Sequence, residues 1–276
     1  MTLPNFLIIG AQKAGTSWLA YQLEKHPEVY LPKQEIHYFD KGFNYAKGLA
    51  WYEKHFEAVT TETAIGEKTP EYLWANGKGW EDHLGDVHKN LANTLPNARL
   101  IITLRNPVDR AISAINHIIR SQRISPLHDI NELLIGKKEH LVEGYGVIEK
   151  GMYYEQLLAY QRLYPEEQIL ILVFEEMIKY PQASLETVSE FLEVSKNEAL
   201  VRENKEINKS KFSRTKLAIN YHLPFLKSIT NRYSNLFSLT KIQPSQSTVK
   251  ELKKRYEEPN QKLFDLLGRR IPAWEN

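Results

Sequence analysis

Three observations predict an α/β fold with a central parallel sheet flanked by helices. Short apolar runs suited to buried strands occur at Phe6-Leu7-Ile8-Ile9 and Arg99-Leu100-Ile101-Ile102-Thr103-Leu104, and another falls near 168–173. Stretches with helical apolar periodicity alternate with these runs, the pattern of βα units rather than of an all-β or all-α chain. The first run also ends in a glycine-framed loop that opens into a helix, the joint on which such sheets carry their ligands.

In chain order, strands are expected near 6–10, 28–31, 64–67, 99–104 and 168–173. Helices are expected near 16–25, 48–57, 80–94, 107–121, 151–163, 181–193 and 247–267. Pro107 fits the first position of its helix, where a missing N–H costs nothing. Lys89 to Pro96 reads as a helix end leading into the strand that starts at Arg99. Residues 122–150 are less regular, with breaks at Gly136-Lys137-Lys138 and Gly144-Tyr145-Gly146, and 204–246 are weakly patterned and polar. Apolar and aromatic residues continue through both stretches, so neither reads as a linker, and a single domain over 1–276 is expected.

The glycine-framed loop carries the first chemical signal. Gly10 and Gly15 permit a tight turn with exposed backbone amides, and Trp18, Leu19 and Leu23 begin the apolar face of the helix. Free N–H groups and the helix dipole then face an anion. The spacing Gly10-x4-Gly15 is that of a Walker A loop, but Thr16 stands where an NTPase carries lysine, and the lysine lies inside the loop at Lys13. The same substitution of parts occurs after the Arg99–Leu104 strand. An NTPase ends this strand in an acid that helps hold Mg²⁺, whereas here Arg105 follows it. Lys13 and Arg105 would neutralise phosphate with side-chain cations. Ser113 lies eight residues beyond Arg105, about two helical turns along, so a strand end and a helix face could reach one anion.

Composition narrows the classes further. The 276 residues are 42% hydrophobic and 25% charged, enough for one good core. A net charge of +2 demands neither nucleic acid nor a bulk polyanion as partner. With no cysteine, disulfides, thiolate zinc sites and a cysteine nucleophile are excluded together. The sequence shows no apolar run near membrane-spanning length and no charged-then-apolar leader pattern, so no membrane partner and a cytoplasmic location are expected.

GAQKAGTSWL resembles the 5′-phosphosulfate loop of sulfotransferases that use 3′-phosphoadenosine 5′-phosphosulfate (PAPS). LRNPVDRAISAINH resembles their 3′-phosphate segment, with Arg105 and Ser113 at the family spacing. LPKQEIHYFD, with Glu35, His37 and Asp40, and GEKTPEYL, with Lys68, are similar to the heparan sulfate N- and 3-O-sulfotransferase branch. GMYYEQLLAYQRLYPEEQILILVFEEM and ELKKRYEEPNQKLFDLLGRRIPAW also resemble this branch, so the likeness runs from about residue 5 to about 274.

The resemblance implies a sulfotransferase fold, PAPS as donor, 3′-phosphoadenosine 5′-phosphate (PAP) as product, and no metal. The amides of Ala14, Gly15, Thr16 and Ser17 and the hydroxyls of Thr16 and Ser17 would hold the 5′-phosphate, with Trp18 beside them. Arg105 and Ser113 would hold the 3′-phosphate. Lys13 would stabilise charge on the leaving phosphate, and Lys68 would be a second cation near the sulfuryl oxygens. Glu35 matches the family's catalytic glutamate, the base for the acceptor's proton, while His37 and Asp40 would orient the site. The family often has lysine directly before this glutamate; here Gln34 does so and Lys33 is one position further. Glu67 reads most simply as the partner of a lysine or arginine. Lys211 and Arg214 fall where the family has a late basic loop over the nucleotide, with a solvated loop as the alternative. Lys250, Lys253, Lys254 and Arg255 read as a solvated helix face.

The acceptor is not named by these motifs. The branch points to hydroxyl or amine groups on sugars. The modest charge and compact length point instead to a small soluble acceptor, and the chain also resembles tailoring sulfotransferases of cyanobacterial natural products, including guanidinium alkaloids. Residues 122–150 are expected to pass over the acceptor side. A P-loop kinase or NTPase, or a non-catalytic nucleotide-binding relative, stands as the alternative class.

Overall fold

The computed structural model describes residues 2–77, 79, 82–196, 212–238 and 242–275. Its centre is a five-stranded parallel sheet of β1 (Phe6–Gly10), β2 (Val29–Tyr30), β3 (Ala64–Lys68), β4 (Arg99–Leu104) and β5 (Ile169–Val173), in the order β2-β3-β1-β4-β5. β1 pairs with β3 in the register Leu7↔Glu67 and with β4 in the register Leu7↔Leu100. Gly66 lies opposite Phe6, and a Cβ there would sit 2.3 Å from the phenyl ring, so the close pairing needs glycine. The chain leaves β1 for one side of the sheet and returns through β4 on the other. The loops after β1 and β4 therefore meet at a topological switch point, where parallel sheets bind ligands.

Both faces of the sheet are covered, as a parallel sheet requires. The alternation of strand side chains divides the core in two. Leu7, Ile9, Leu100, Ile102 and Leu104 join one buried cluster, with Leu91 of α4 (Val87–Thr94), Leu157 of α7 (Tyr153–Gln161) and Leu263 of α12 (Gln246–Leu267). Phe6, Ile8 and Ile101 join the other, with Leu19 of α1 (Thr16–Leu23) and Val188 of α9 (Pro181–Leu192). A third cluster packs α5 (Pro107–Arg120) against α6 (Ile130–Ile135) and α12 through Ile115, Leu133 and Leu252.

The five strands fall where expected, and so do α1, α5, α7, α9 and α12 within about two residues. The helix expected from 80 starts only at Val87, because Asp86 takes a left-handed φ of 58° and His83 is drawn into a bridge with Lys41. The helix expected over 48–57 divides into α3 (Leu49–Glu53) and a 3₁₀ turn at Lys54–Phe56. Shorter helices went unseen in the sequence: α2 (Gly42–Tyr45), α6, α8 (Phe174–Lys179), α10 (Arg214–His222) and α11 (Lys227–Arg232). Each is nine residues or fewer, too short for a helical period to stand out.

Candidate active site

Beyond β1 the chain turns through Lys13, with φ 70°, and Gly15, with φ 95°, before entering α1. The Ala14 amide donates to the Ala11 carbonyl over 3.1 Å and closes the turn. A Cβ at Gly15 would lie 2.7 Å from the Phe174 ring, so glycine is required by conformation and by space. Among the described residues no side chain caps α1, which leaves its first-turn amides in the arrangement by which helix N-termini attract anions. Thr16 is buried at the start of the helix, while Trp18 packs against the cluster around Leu19 and Leu23.

Arg105 enters the same space from the end of β4. Its Nη1 donates to the Lys13 carbonyl over 3.2 Å, and its guanidinium lies over the Phe174 ring, 4.6 Å from the centroid. The Tyr153 hydroxyl donates to the Arg105 carbonyl at 2.8 Å. Among the described residues the buried Nε of Arg105 has no acceptor, an unmet demand that a bound anion would satisfy. Asn106 then caps α5, its Oδ1 accepting from the Val108 amide at 3.0 Å. Ser113 is half-buried on α5.

Four predicted residues are brought together at the neighbouring strand ends. Lys68, the last residue of β3, places Nζ 2.5 Å from Oε1 of Glu35. Nε2 of His37 lies 3.4 Å from Oε2 of Glu35, and its Nδ1 lies 2.9 Å from Oδ2 of the fully buried Asp40. The imidazole is thus held between two carboxylates. His37 itself adopts a left-handed φ of 54°, and Asn44 secures the turn by donating to the carbonyls of Ile36 and His37 at 3.0 and 3.2 Å.

These contacts set the protonation states. Burial would raise the Glu35 carboxyl, but the hydrogen bond from His37 and the charge of Lys68 outweigh it and bring it down to about 2. Burial would lower His37, yet Asp40 and Glu35 together lift it to about 10, so the ring is an imidazolium at neutral pH. Lys13 falls to about 8, first through burial and then through the like charges of Arg120 and Arg105. His117 is driven down to about 4 by burial and by Lys13, Arg120 and Arg123. The site is therefore rich in cations, and the ionised Glu35 is held between two of them, Lys68 and His37.

Glu67 does not pair with a cation as expected from its neighbours. Strand alternation turns it away from Lys68 into the core, where it accepts from Tyr52 at 2.5 Å, Thr69 at 2.9 Å and Tyr72 at 3.2 Å. Burial lifts its carboxyl to about 7 despite these bonds. The Tyr72 hydroxyl in turn accepts the Tyr38 amide at 2.8 Å, so Glu67 braces the segment that presents Glu35 and His37.

Other residues of the site were missed in the sequence. His117 and Arg120 follow Ser113 at helical spacing on one half-buried stripe of α5, and their side chains meet at 3.4 Å. Their i, i+4, i+7 spacing was the available signal. Gln12 donates to Glu71 at 2.5 Å, and Glu71 also pairs with the buried Lys150, linking the loop after β1 to the segment before α7. The Lys150–Glu71 pair alone spans 79 positions, and no local pattern announces it. Arg214 donates to the carbonyls of Pro126 and His128 at 2.6 and 2.8 Å and so ties down the 122–128 segment. Lys211 lies outside the described residues. Among the described residues no group of three or more His, Asp or Glu is arranged to hold a metal ion.

With this geometry in hand, residues 3–242 match the family described as Sulfotransferase domain, and the chain belongs to that family. It is an enzyme of the sulfotransferase class. Mouse heparan sulfate glucosamine 3-O-sulfotransferase 5 is 26% identical over 98% of this chain and 73% of its own length. The membrane-associated sulfotransferase kil1 of Dictyostelium discoideum is 37% identical over 52% of this chain, a match spanning only 30% of that relative. A sulfotransferase from Alicyclobacillus acidocaldarius has the same fold, with a TM-score of 0.73 over the whole of both chains at 24% identity.

Proposed function

We propose that the protein transfers the sulfuryl group of PAPS to a hydroxyl or amine of its acceptor, with Glu35 as base and Lys13 at the leaving phosphate. The observation that carries this reading is the meeting of Lys13 and Arg105 at the switch point, 3.2 Å apart through the Lys13 carbonyl, with Lys68 at the end of β3 and Glu35 in the segment after β2. The uncapped amides of α1 and the unpartnered Nε of Arg105 fit a ligand with two phosphate groups. PAPS supplies the activated sulfuryl group on its phosphosulfate.

The residues divide the remaining work. Lys13, lowered to about 8, is still mostly charged at neutral pH, and an adjacent phosphosulfate favours the charged form further. Its ammonium opposes the charge that grows on the leaving oxygen. Glu35 at about 2 is ionised but a weak base while Lys68 and His37 hold it. Lys68 therefore has to turn from Glu35 toward the sulfuryl oxygens as the acceptor arrives, which raises the proton affinity of Glu35 when it is needed. The His37 imidazolium, fixed by Asp40, keeps hold of Oε2 and orients the carboxylate throughout.

For the acceptor, the 3-O-sulfotransferase relatives that span most of this chain support a sugar hydroxyl. A small soluble metabolite is the second reading, favoured by the net charge of +2, which is low for an enzyme gripping a long polyanion. Calorimetry with PAP in EDTA tests the donor assignment. Tight binding without metal is expected; a strict Mg²⁺ requirement, or tighter binding of ATP, would overturn PAPS as the donor.

A further inference from the structure

We infer that the hairpin of α10 and α11 docks the enzyme on an anionic lipid surface. The hairpin is built inside out. Its two helices meet through a buried polar pair, the Thr230 hydroxyl donating to Oδ1 of Asn220 at 2.6 Å. Its large apolar residues lie outside instead: Tyr221, Leu223, Phe225, Ile229, Tyr233 and Leu236 are all exposed, Phe225 at 73% and Leu236 at 79%. A water-facing hairpin normally shows the reverse arrangement, and so many large apolar groups on one short segment mark an interaction surface.

Charge selects the occupant. From Ile207 to Val249 the sequence holds seven Lys or Arg and no Asp or Glu, although the whole chain carries only +2. Lys227 and Arg232 are exposed among the apolar groups. Two copies of this face brought together by a two-fold axis would set like charges against each other, which disfavours a self-dimer. Apolar and aromatic groups interleaved with Lys and Arg suit the boundary of a bilayer that displays anionic headgroups. Such peripheral docking needs no spanning helix, and none of the described helices is long and apolar enough to cross a membrane. The inference replaces the expectation that the chain has no membrane partner.

The hairpin is also anchored to the body of the enzyme. Gln122 donates to the Leu217 carbonyl at 3.2 Å, Ser125 meets His222 at 3.1 Å, and Arg214 holds the carbonyls of Pro126 and His128. The docked surface is therefore continuous with the segment that follows α5, the helix that carries Ser113, His117 and Arg120.

Co-sedimentation with vesicles of phosphatidylcholine, with and without phosphatidylserine, tests the inference on the full chain. Binding to the phosphatidylserine vesicles should be at least about tenfold stronger than to phosphatidylcholine alone, and high salt should weaken it. The double variant Phe225→Ser/Leu236→Ser should lose about tenfold or more, and Lys227→Glu/Arg232→Glu should lose at least as much. PAP binding by calorimetry should be unchanged in both, which separates loss of docking from loss of fold. Absent or charge-independent vesicle binding, or an undiminished double apolar variant, would overturn the inference. Sedimentation velocity supplies a further decisive outcome: a wild-type dimer that Phe225→Ser/Leu236→Ser converts to monomer would assign the face to a second copy instead.

Discussion

Nζ of Lys68 rests 2.5 Å from Oε1 of Glu35, so the residues proposed as base and as second cation neutralise each other. Lys68 occupies the end of β3 and Glu35 the segment after β2. The contact holds the carboxylate ionised at the cost of its basicity. Lys68→Ala should therefore move the Glu35 carboxyl upward in pH, a shift that a carbon-detected NMR titration of the glutamates would register. Turnover should fall even so, because the sulfuryl oxygens lose their cation. An unmoved Glu35 titration would show that His37 alone sets its state.

Glu35→Gln retains shape and hydrogen bonding but cannot take the acceptor's proton. Turnover with an alcohol acceptor should fall by roughly 10²–10⁴, while PAP affinity, measured by calorimetry, stays near wild type. The loss should shrink with acceptors that are already partly deprotonated. An unchanged rate with an alcohol would remove Glu35 from the chemistry and direct attention to His37.

The two site histidines should titrate in opposite directions. His37, lifted to about 10, should give an imidazolium NMR signature through neutral pH, whereas His117, lowered to about 4, should remain neutral in mildly acid solution. The stability consequence follows from the sign of each shift. The raised pKa of His37 contributes stability that is complete below the ordinary histidine value of 6.5 and is lost as pH rises through about 10. The lowered pKa of Glu35 contributes stability that is complete above the ordinary glutamate value of 4.5 and is lost as pH falls through about 2. Asp40→Asn should bring the His37 titration down and narrow the alkaline side of the stability profile.

Arg105→Ala should weaken PAP binding most among single changes at the phosphate sites. Losing a charge-assisted contact of this kind costs about 1.5–3 kcal/mol, roughly tenfold to hundredfold in affinity. Calorimetry with PAP and with adenosine 5′-phosphate separates the roles, since the loss should be larger for the ligand that carries the 3′-phosphate. Equal losses would assign Arg105 to the 5′ end, beside Lys13.

The parallel sheet was legible because its strands are short apolar runs set between longer amphipathic helices. The loop after β1 was legible because Gly10, Lys13 and Gly15 lie within a few positions of one another. Glu35, His37, Asp40 and Lys68 were placed through motif resemblance, and the fold does bring them together. What stayed hidden depends on long-range packing. Tyr52 enters the cage around Glu67 from α3, 15 positions away, and no local pattern pairs the two. Nothing near Gln12 announces its link through Glu71 to Lys150. The α10–α11 hairpin escaped because its apolar residues do not serve a core, so their spacing follows no buried face.

The most direct measurement is mass spectrometry of PAPS turnover in EDTA, across hydroxyl and amine acceptors, for the wild type and Lys13→Ala. The wild type should release PAP and sulfated acceptor in equal amounts, with sugar hydroxyls among the productive acceptors. Lys13→Ala should lose far more in turnover than in PAP affinity, since in its proposed place Lys13 acts on charge that develops during transfer. If the variant stays within about tenfold of wild type, less than ~1.4 kcal/mol of barrier rests on Lys13, and its place at the leaving phosphate would be contradicted.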